Sequence, residues 1–231
     1  MLVHTSLKAL GYVVGGTRSV VEALIETAGT VMMPVYSGDL SDPAEWRHPP
    51  APPEKIDAIR EAIPAYDPIL TPSRGMGAVP EYFRTYPGTI RSPHPQSSFV
   101  ARGPMAQRLV GEHPLDNRFG PDSPLGALVR LGGKTLLLGA PRNTCSMLYL
   151  TEHELYPKSV AKRAPMNVGG KRQWVEYRDI KYTDRFFKDA IAMLLENSHA
   201  TFGRVGQAES VLIPAATVQI VSEWRRTRDR T

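Results

Sequence analysis

The residues with the clearest chemical potential follow a short apolar segment near the middle of the chain. Residues 135–138 are typical of a buried strand, and residues 139–141 end it with a turn. Asn143 or Thr144 can then cap a helix that continues past Tyr149. A strand, a tight turn and a helix start present side chains at the edge of a sheet, so we expect a functional site here.

Four side chains of this segment could take part in proton transfer or nucleophilic attack. The phenol of Tyr149 has a reference pKa of about 10, so at neutral pH it serves better as a hydrogen-bond donor than as a base. Glu152 follows on the same helix face, where it could orient a base or bind an ammonium group. His153 lies four residues after Tyr149, about 6 Å further along the helix axis, and is an alternative base. Cys145 lies among apolar residues, which favours a buried structural thiol over a nucleophile.

Hydrophobic periodicity and turn residues predict the elements that position these side chains. Helices are predicted at 19–28, 54–63, 79–85, 105–112, 123–130, 182–195 and 215–226. Strands are predicted at 2–3, 30–34, 174–180, in a hairpin at 202–213 and after residue 89. Ser19 and Glu22 have the spacing of a capping box, and Ser123 and Pro124 that of a capped helix start. Strands and helices without a regular alternation predict one α/β domain over residues 1–231, of mixed α+β layered type.

Composition excludes several functional classes. The 231 residues are 42% hydrophobic and include one cysteine, so we expect one core, no disulfides and a reducing, cytoplasmic environment. There is no apolar run of membrane-spanning length and no secretory pattern, so we expect no membrane partner. The net charge is +5, but outside residues 224–230 the basic residues are scattered, so we expect no nucleic-acid partner. The histidines lack metal-ligand spacing, so we expect no metal.

Several motifs in a fixed order carry a resemblance to a known family. They are His-Thr-Ser-Leu-Lys-Ala-Leu-Gly-Tyr-Val-Val-Gly-Gly at 4–16, Thr-Val-Met-Met-Pro-Val-Tyr-Ser at 30–37, Tyr-Asp-Pro at 66–68, Thr-Pro-Ser-Arg-Gly-Met-Gly at 71–77, Arg-Ser-Pro-His-Pro at 91–95, Gly-Pro-Asp-Ser-Pro-Leu at 120–125 and the segment 136–152. Over essentially the whole chain, this order resembles the aminoglycoside 3-N-acetyltransferases. The resemblance implies the single-domain antibiotic N-acetyltransferase fold and acetyl transfer from acetyl-coenzyme A to the 3-amino group of a 2-deoxystreptamine ring.

The chain departs from the family pattern in two places. Where this chain has Tyr149, the family has a histidine that acts as the base, and an acid or amide, here Asn143, precedes it. The family also has a helical segment ahead of its first strand, which we expect to be lacking here. Two alternatives therefore stay open: a weakened homologue that binds coenzyme A or drug without turnover, and an enzyme that acetylates a different amine.

For a polycationic sugar, the resemblance implies an acidic pocket. The candidate acceptor contacts are Tyr36 as a ring-stacking platform and the carboxylates of Asp39, Asp42 and Asp179. His94 matches a histidine of the family pattern and fits either a site role or a structural hydrogen bond, while we expect His4 to be a structural residue at a strand end.

Acetyl-coenzyme A requires groups that bind phosphate and pantetheine. A glycine turn ahead of a helix offers amides to an anion. The candidates are Ser6 and Leu7 at the first strand end, Gly15, Gly16 and Thr17 before the first helix, and Ser73 with Arg74. Together these features predict a metal-free enzyme, monomeric or homodimeric, whose partner is an aminoglycoside or a related polyamine and whose activity confers antibiotic resistance.

Overall fold

A seven-stranded mixed sheet organises the part of the chain that the computed structural model describes, residues 1–228. In chain order, the strands and helices are β1 (Leu2–Thr5), α1 (Gly16–Ala28), β2 (Val31–Pro34), α2 (Ile56–Ala62), α3 (Ala78–Arg84), β3 (Ile90–Arg91), β4 (Phe99–Arg102), α4 (Ala106–Val110), α5 (Pro124–Arg130), β5 (Lys134–Leu138), α6 (Leu150–Leu155), β6 (Ser159–Val168), β7 (Lys171–Ile180), α7 (Phe187–Glu196), β8 (Thr201–Val205), β9 (Ala208–Pro214) and α8 (Val218–Arg228). Within these residues, no helix has the length and apolar character needed to cross a membrane.

Three parallel strands form the centre of this sheet. The strand order is β3-β4-β2-β1-β5-β9-β8, and β1 runs parallel to both of its neighbours, with Leu2 opposite Met32 and Thr135. The remaining strand pairs are antiparallel. Because β1, β2 and β5 point the same way, the chain leaves all three at one edge of the sheet. In open α/β sheets this edge is where ligands bind.

Alternating side chains divide the core between the two faces of the sheet. Leu2, Met32 and Leu137 lie on the face covered by α4, α5, α7 and α8. Val3 and Met33 lie on the opposite face, which α1 and α3 cover. Both faces are buried, which explains why β2 and the first two residues of β1 are apolar without alternation. The predicted α/β fold of mixed, layered type is confirmed.

The strands β6 and β7 form a two-stranded sheet that is separate from the seven-stranded sheet. Gly169 and Gly170 join them with positive φ angles of 58° and 79°, as a two-residue type I′ hairpin turn requires. Trp174 of this hairpin packs on a small cluster that includes Leu40 and Ile63 from the loop region after β2. The hairpin therefore covers the long loop that the sequence predicts at 37–54.

Asp42, a buried residue of this loop, links the loop to the hairpin by an ion pair with Arg163 of β6. Its buried carboxylate accepts a hydrogen bond from the N–H of Ala44 and forms ion pairs with Arg60 and Arg163. Burial opposes the charge, but these bonds hold the pKa of Asp42 below its usual value. The structure therefore corrects the prediction that Asp42 contacts a cationic sugar, because its charge is already neutralised by two arginines.

The first helix begins earlier than its sequence pattern indicates. Ser19 and Glu22 lie inside α1, so the predicted capping box is wrong. The N-cap is Gly15, which adopts a left-handed conformation with φ of 80°. This positive φ favours glycine at the position, since a residue with a Cβ rarely adopts it. In contrast, the predicted start of α5 is confirmed, since Ser123 accepts a hydrogen bond from the N–H of Leu125.

Other element predictions are correct in type and differ in bounds. Neither Asn143 nor Thr144 caps a helix, because two 3-10 turns, Arg142–Thr144 and Ser146–Tyr149, precede α6. The helix predicted at 182–195 begins five residues later, and β6 was not predicted at all. Its sequence interrupts the alternation with charged residues and a proline. The end of the predicted basic cluster, Asp229 and Arg230, lies outside the described residues.

We expect the substitution Asp42→Asn to lower the free energy of unfolding by about 2 kcal/mol, because two arginines then keep their charge without the carboxylate. Urea unfolding measures this loss. The matched control is Asp57→Asn, which removes the exposed carboxylate that pairs with the same Arg60 and should cost less than about 0.5 kcal/mol. Equal losses in the two variants would contradict a structural role for Asp42.

Candidate active site

A cleft of about 630 Å³ lies at the edge of the sheet where the three parallel strands end. Residues 4–8, at and after the end of β1, line the cleft together with Pro34 and Tyr36, at and after the end of β2. The segment that follows β5 forms the opposite wall. Residues 75–80, which lead into α3, close one side. The cleft is thus built from segments that are far apart in sequence, and the parallel pairing of β1, β2 and β5 brings them together.

Tyr149 forms the aromatic wall of this cleft. Its ring stacks on Phe119 at 4.8 Å between centroids and makes edge or tilted contacts with Tyr182 and Phe187. Burial raises the pKa of Tyr149, and the nearby carboxylate of Asp184 raises it further. The phenol therefore stays protonated at neutral pH and acts as a hydrogen-bond donor, as the sequence predicts.

A buried ion pair supports the aromatic wall from behind. Asp179 is fully buried and pairs with Arg118 at 3.2 Å. The guanidinium of Arg118 in turn packs over the rings of Phe119 and Tyr182, at 5.2 and 5.0 Å from their centroids. Burial raises the pKa of Asp179. Asp179 thus lies behind the rings and is paired with an arginine, so the structure gives no support to a direct contact with substrate, and that contact stays a prediction.

Glu152 and His153 do not extend the wall of the cleft. Glu152 is buried between α6 and α8, where it pairs with Arg225 at 2.8 Å. His153 lies beside the backbone of Gly120 instead. Since α6 packs on α8, the helix face that carries Glu152 is an interior face. This placement gives no support to the predicted roles of these two side chains as base, or as the group that orients a base, and those roles stay predictions.

His94 belongs to a buried polar network rather than to the cleft. Its Nδ1 accepts hydrogen bonds from the N–H groups of Gln96 and Ser97, and its ring lies 4.8 Å from that of His113. His113 in turn contacts Ser92 through Nδ1. Burial lowers the pKa of His113 to about 4 and that of His94 well below its usual value. Of the two roles left open for His94, the structural hydrogen bond is the one that the geometry supports.

Two of the predicted coenzyme contacts, Ser6 and Leu7, line the cleft. Gly15, Gly16 and Thr17 lie at the start of α1, outside the lining of the cleft, and their contact with the coenzyme stays a prediction. Ser73 and Arg74 lie immediately before the segment 75–80 that closes the cleft. The hydroxyl of Ser73 is bound to Glu81 at 2.7 Å.

On the acceptor side, two predicted residues lie at or near the cleft. Tyr36 lines it, but its hydroxyl is already committed, since it donates to Ser146 Oγ at 2.8 Å. Asp39 pairs with the exposed Arg74 at 3.1 Å. Because this pair is exposed to solvent, it is weak and a cationic ligand can replace the arginine.

Sequence reasoning missed several polar residues that the fold brings into the cleft, among them His4, Ser146 and Asp184. His4 Nε2 accepts a hydrogen bond from the N–H of Ser146 at 3.3 Å, across 142 positions of sequence. Asp184 lies opposite Asn143, whose amide approaches it at 3.5 Å. The signal that could have found them is their position in or after strands, since His4 lies in β1, Ser146 follows β5 and Asp184 follows β7.

The predicted structural role of Cys145 agrees with the structure. The thiol is fully buried, and burial raises its pKa to about 12, so it remains protonated and unreactive at neutral pH. Among residues 1–228, no group of three or more histidine, cysteine, aspartate or glutamate side chains is arranged to hold a metal ion.

Comparison with known proteins shows similarity over nearly the whole chain. A family model described as aminoglycoside 3-N-acetyltransferase matches residues 2–226. The aminoglycoside N(3')-acetyltransferase-like protein YokD of Bacillus subtilis is 39% identical over 97% of this chain and 85% of its own length. Aminoglycoside N(3)-acetyltransferase IX of Micromonospora chalcea is 37% identical over 94% of this chain and 83% of its own length.

Solved structures share the same fold. The crystal structure of YokD has a TM-score of 0.95 at 38% identity and covers 100% of this chain and 87% of that chain. AAC-IIIb in a binary complex with CoASH has a TM-score of 0.84 at 32% identity, with 98% and 89% coverage. Sisomicin-bound AAC-VIa has a TM-score of 0.85 at 32% identity, with 98% and 91% coverage.

The buried histidines predict that stability falls on mild acidification. His4 and His113 have folded-state pKa values of about 4 against 6.5 for the free side chain, so the unfolded chain binds more protons. Their contribution is complete above pH 6.5 and is lost as the pH falls towards 4, by up to about 1.4 kcal/mol per pH unit for each histidine.

Urea unfolding at pH 7.5, 6.0 and 5.0 measures this dependence on pH. His113→Gln should make the slope shallower, because it removes one proton-binding group. The control is His199→Gln, at an exposed histidine, which should leave the slope unchanged. A flat profile for the unsubstituted protein across these three pH values would contradict the burial of neutral histidines.

Proposed function

The chain belongs to the aminoglycoside 3-N-acetyltransferase family, and we propose that it transfers the acetyl group of acetyl-coenzyme A to the 3-amino group of a 2-deoxystreptamine aminoglycoside. One observation carries the proposal. In this fold, a single cleft brings the segment of Tyr149 and Asp184 together with residues 4–8 at the end of β1. An amine and a thioester can therefore bind side by side, as direct transfer requires.

The acceptor side of the cleft is the one that carries Asp184. This carboxylate is half-buried at the wall, next to the Tyr149 ring and the Asn143 amide. An aminoglycoside carries several ammonium groups, and a partly desolvated carboxylate binds one of them with a charge-assisted hydrogen bond. The ring of Tyr149 provides an apolar surface for a sugar ring, and the buried rings of Phe119 and Phe187 pack against it from behind. The structure of AAC-VIa bound to sisomicin supports this proposal, because it shows that a protein of this fold binds an aminoglycoside.

The thioester side consists of residues 4–8 and the segment before α3. Ser6 and Leu7 line the cleft and suit pantetheine, and the exposed ammonium of Lys8 suits a phosphate of the coenzyme. Arg74, next to the segment 75–80, is a further phosphate ligand. The AAC-IIIb neighbour, in a complex with CoASH, supports coenzyme binding to this fold.

Tyr149 sets the limit on the rate of the reaction. The attacking amine must be neutral, and a phenol whose pKa is raised by burial does not accept its proton at neutral pH. In our proposal, Tyr149 donates a hydrogen bond that orients the acceptor, and turnover depends on the fraction of amine that is already neutral. The activity is therefore slower than that of the same scaffold with a histidine at this position.

In the cell, we propose a cytoplasmic enzyme that modifies the drug and so confers resistance. Acetyl-coenzyme A is an intracellular metabolite, and the one cysteine is compatible with a reducing compartment.

The first test measures release of free thiol from acetyl-coenzyme A with a panel of deoxystreptamine drugs. We expect drug-dependent release by the unsubstituted chain and a gain in kcat of roughly 100-fold or more for Tyr149→His, since a general base contributes about 10²–10⁴-fold. The control is Tyr149→Phe, which keeps the ring but cannot accept a proton and should show no gain. If Tyr149→His is folded and no faster, the base does not belong at this position.

A second test concerns the carboxylate of the acceptor side. Asp184→Asn should raise the KM for the drug about 10- to 100-fold, because a charge-assisted hydrogen bond is worth about 1.5–3 kcal/mol. The KM for acetyl-coenzyme A should stay the same. The control is Asp122→Asn, which removes an exposed carboxylate away from the cleft. An unchanged drug KM in Asp184→Asn would place the acceptor elsewhere.

A further inference from the structure

His4 has a position in the cleft that the roles assigned above leave unused. It is the third residue of β1, the central parallel strand, and its imidazole lines the cleft while only 6% of the residue is exposed. The strand fixes its backbone on both sides, because β1 pairs with β2 and β5. A side chain held in this way is far more rigid than one on a surface loop.

The hydrogen bond from Ser146 determines which nitrogen of His4 carries the proton. The N–H of Ser146 donates to His4 Nε2 at 3.3 Å, so Nε2 uses its lone pair and is not protonated. A neutral imidazole then has its proton on Nδ1. Burial lowers the pKa of His4 to about 4, so the ring is neutral at physiological pH. His4 is thus a neutral N–H donor whose accepting lone pair is already occupied.

The partner of His4 is itself fixed in place. Ser146 is buried, and its Oγ accepts a hydrogen bond from the hydroxyl of Tyr36 at 2.8 Å. Tyr36 follows β2, His4 lies in β1, and Ser146 follows β5. One polar wall therefore joins the ends of all three parallel strands. A wall of this kind holds a donor in one orientation before substrate arrives.

Acetyl transfer requires such a donor. The lone pair of the amine nitrogen forms a bond to the acetyl carbon, and the electrons of the C=O bond move onto oxygen. When the C=O bond re-forms, the C–S bond breaks, and the proton lost by the nitrogen balances the coenzyme thiolate. The oxygen carries negative charge between these two steps. A fixed hydrogen-bond donor at that oxygen is therefore worth more in the transition state than in the bound substrate.

We propose that His4 is a catalytic residue whose Nδ1–H stabilises the negative charge that develops on the thioester oxygen of acetyl-coenzyme A. This inference rests on the proposed function, because it assumes that the thioester binds on the β1 side of the cleft. With this role, His4 is not the base that replaces the family histidine, because the lone pair on its Nε2 accepts the hydrogen bond from the Ser146 amide. It also leaves Ser146 as a wall residue, not a nucleophile.

The kinetic test compares His4→Phe with His4→Gln. Phenylalanine fills the space without a donor, whereas the planar amide of glutamine can accept from Ser146 and still donate into the cleft. We expect His4→Phe to lower kcat roughly 100- to 1,000-fold at an acetyl-coenzyme A KM within about threefold, as loss of one oxyanion donor does. His4→Gln should lose less than about tenfold. A His4→Phe variant with kcat within about threefold of the unsubstituted chain overturns the proposal.

A spectroscopic test separates this proposal from the function on which it rests. The carbonyl stretch of bound [1-¹³C]acetyl-coenzyme A should lie at lower frequency in the unsubstituted protein than in His4→Phe, because a hydrogen bond weakens the C=O bond. This measurement needs no amine acceptor. If no drug is acetylated but the shift is present, the proposed function fails and the role of His4 stands. If drug is acetylated but the two frequencies agree, only the role of His4 fails.

One further measurement needs no substitution, so it decides the question even if His4→Phe does not fold. Long-range ¹⁵N–¹H correlation spectra of the histidine rings report which nitrogen is protonated. We expect neutral His4 with the proton on Nδ1 from pH 7.5 to 5.5. A proton on Nε2, or a charged ring at pH 7, overturns the proposal.

Discussion

The parallel pairing of β1 with β2 and β5 is the constraint on which the rest of the structure depends. It makes three chain segments leave the sheet at one edge, where each must turn and expose polar groups. His4, Tyr36 and Ser146 are neighbours only because of this arrangement, and the hydrogen bonds between them cross more than one hundred positions of sequence. Both faces of the strands are buried, so the register that sets these contacts is strongly fixed.

Two groups of acidic side chains in this basic protein have different functions. Asp42, Glu152 and Asp179 are buried, and each is paired with at least one arginine. A buried carboxylate without a partner would cost several kcal/mol, so these residues serve the fold first. Asp184 remains half-buried at the cleft, with an amide rather than an arginine beside it. A cationic ligand can bind a carboxylate of this second kind without displacing an arginine.

Neutral donors dominate the chemistry available in the cleft. Tyr149 stays protonated because burial raises its pKa, and His4 stays neutral because burial lowers its own. The same desolvation thus pushes two different groups towards the same state, a hydrogen-bond donor without charge. Such donors can orient an amine and stabilise a developing oxyanion, but they do not remove a proton. In our proposal, a tyrosine at the position of the family histidine therefore changes the rate of proton removal more than it changes binding.

The sequence by itself determined the local elements, the order of the family motifs and the serine cap of α5, because periodicity and capping depend on neighbouring residues. It also located the segment of Tyr149 and the strand end at Ser6. Only the tertiary structure decided which polar groups face the cleft. Asp179 and Asp184 are five residues apart, yet Asp179 is buried against Arg118, whereas Asp184 lines the cleft. That difference depends on partners from distant elements, and pairing at such distances is fixed by the path of the chain through the core rather than by local pattern.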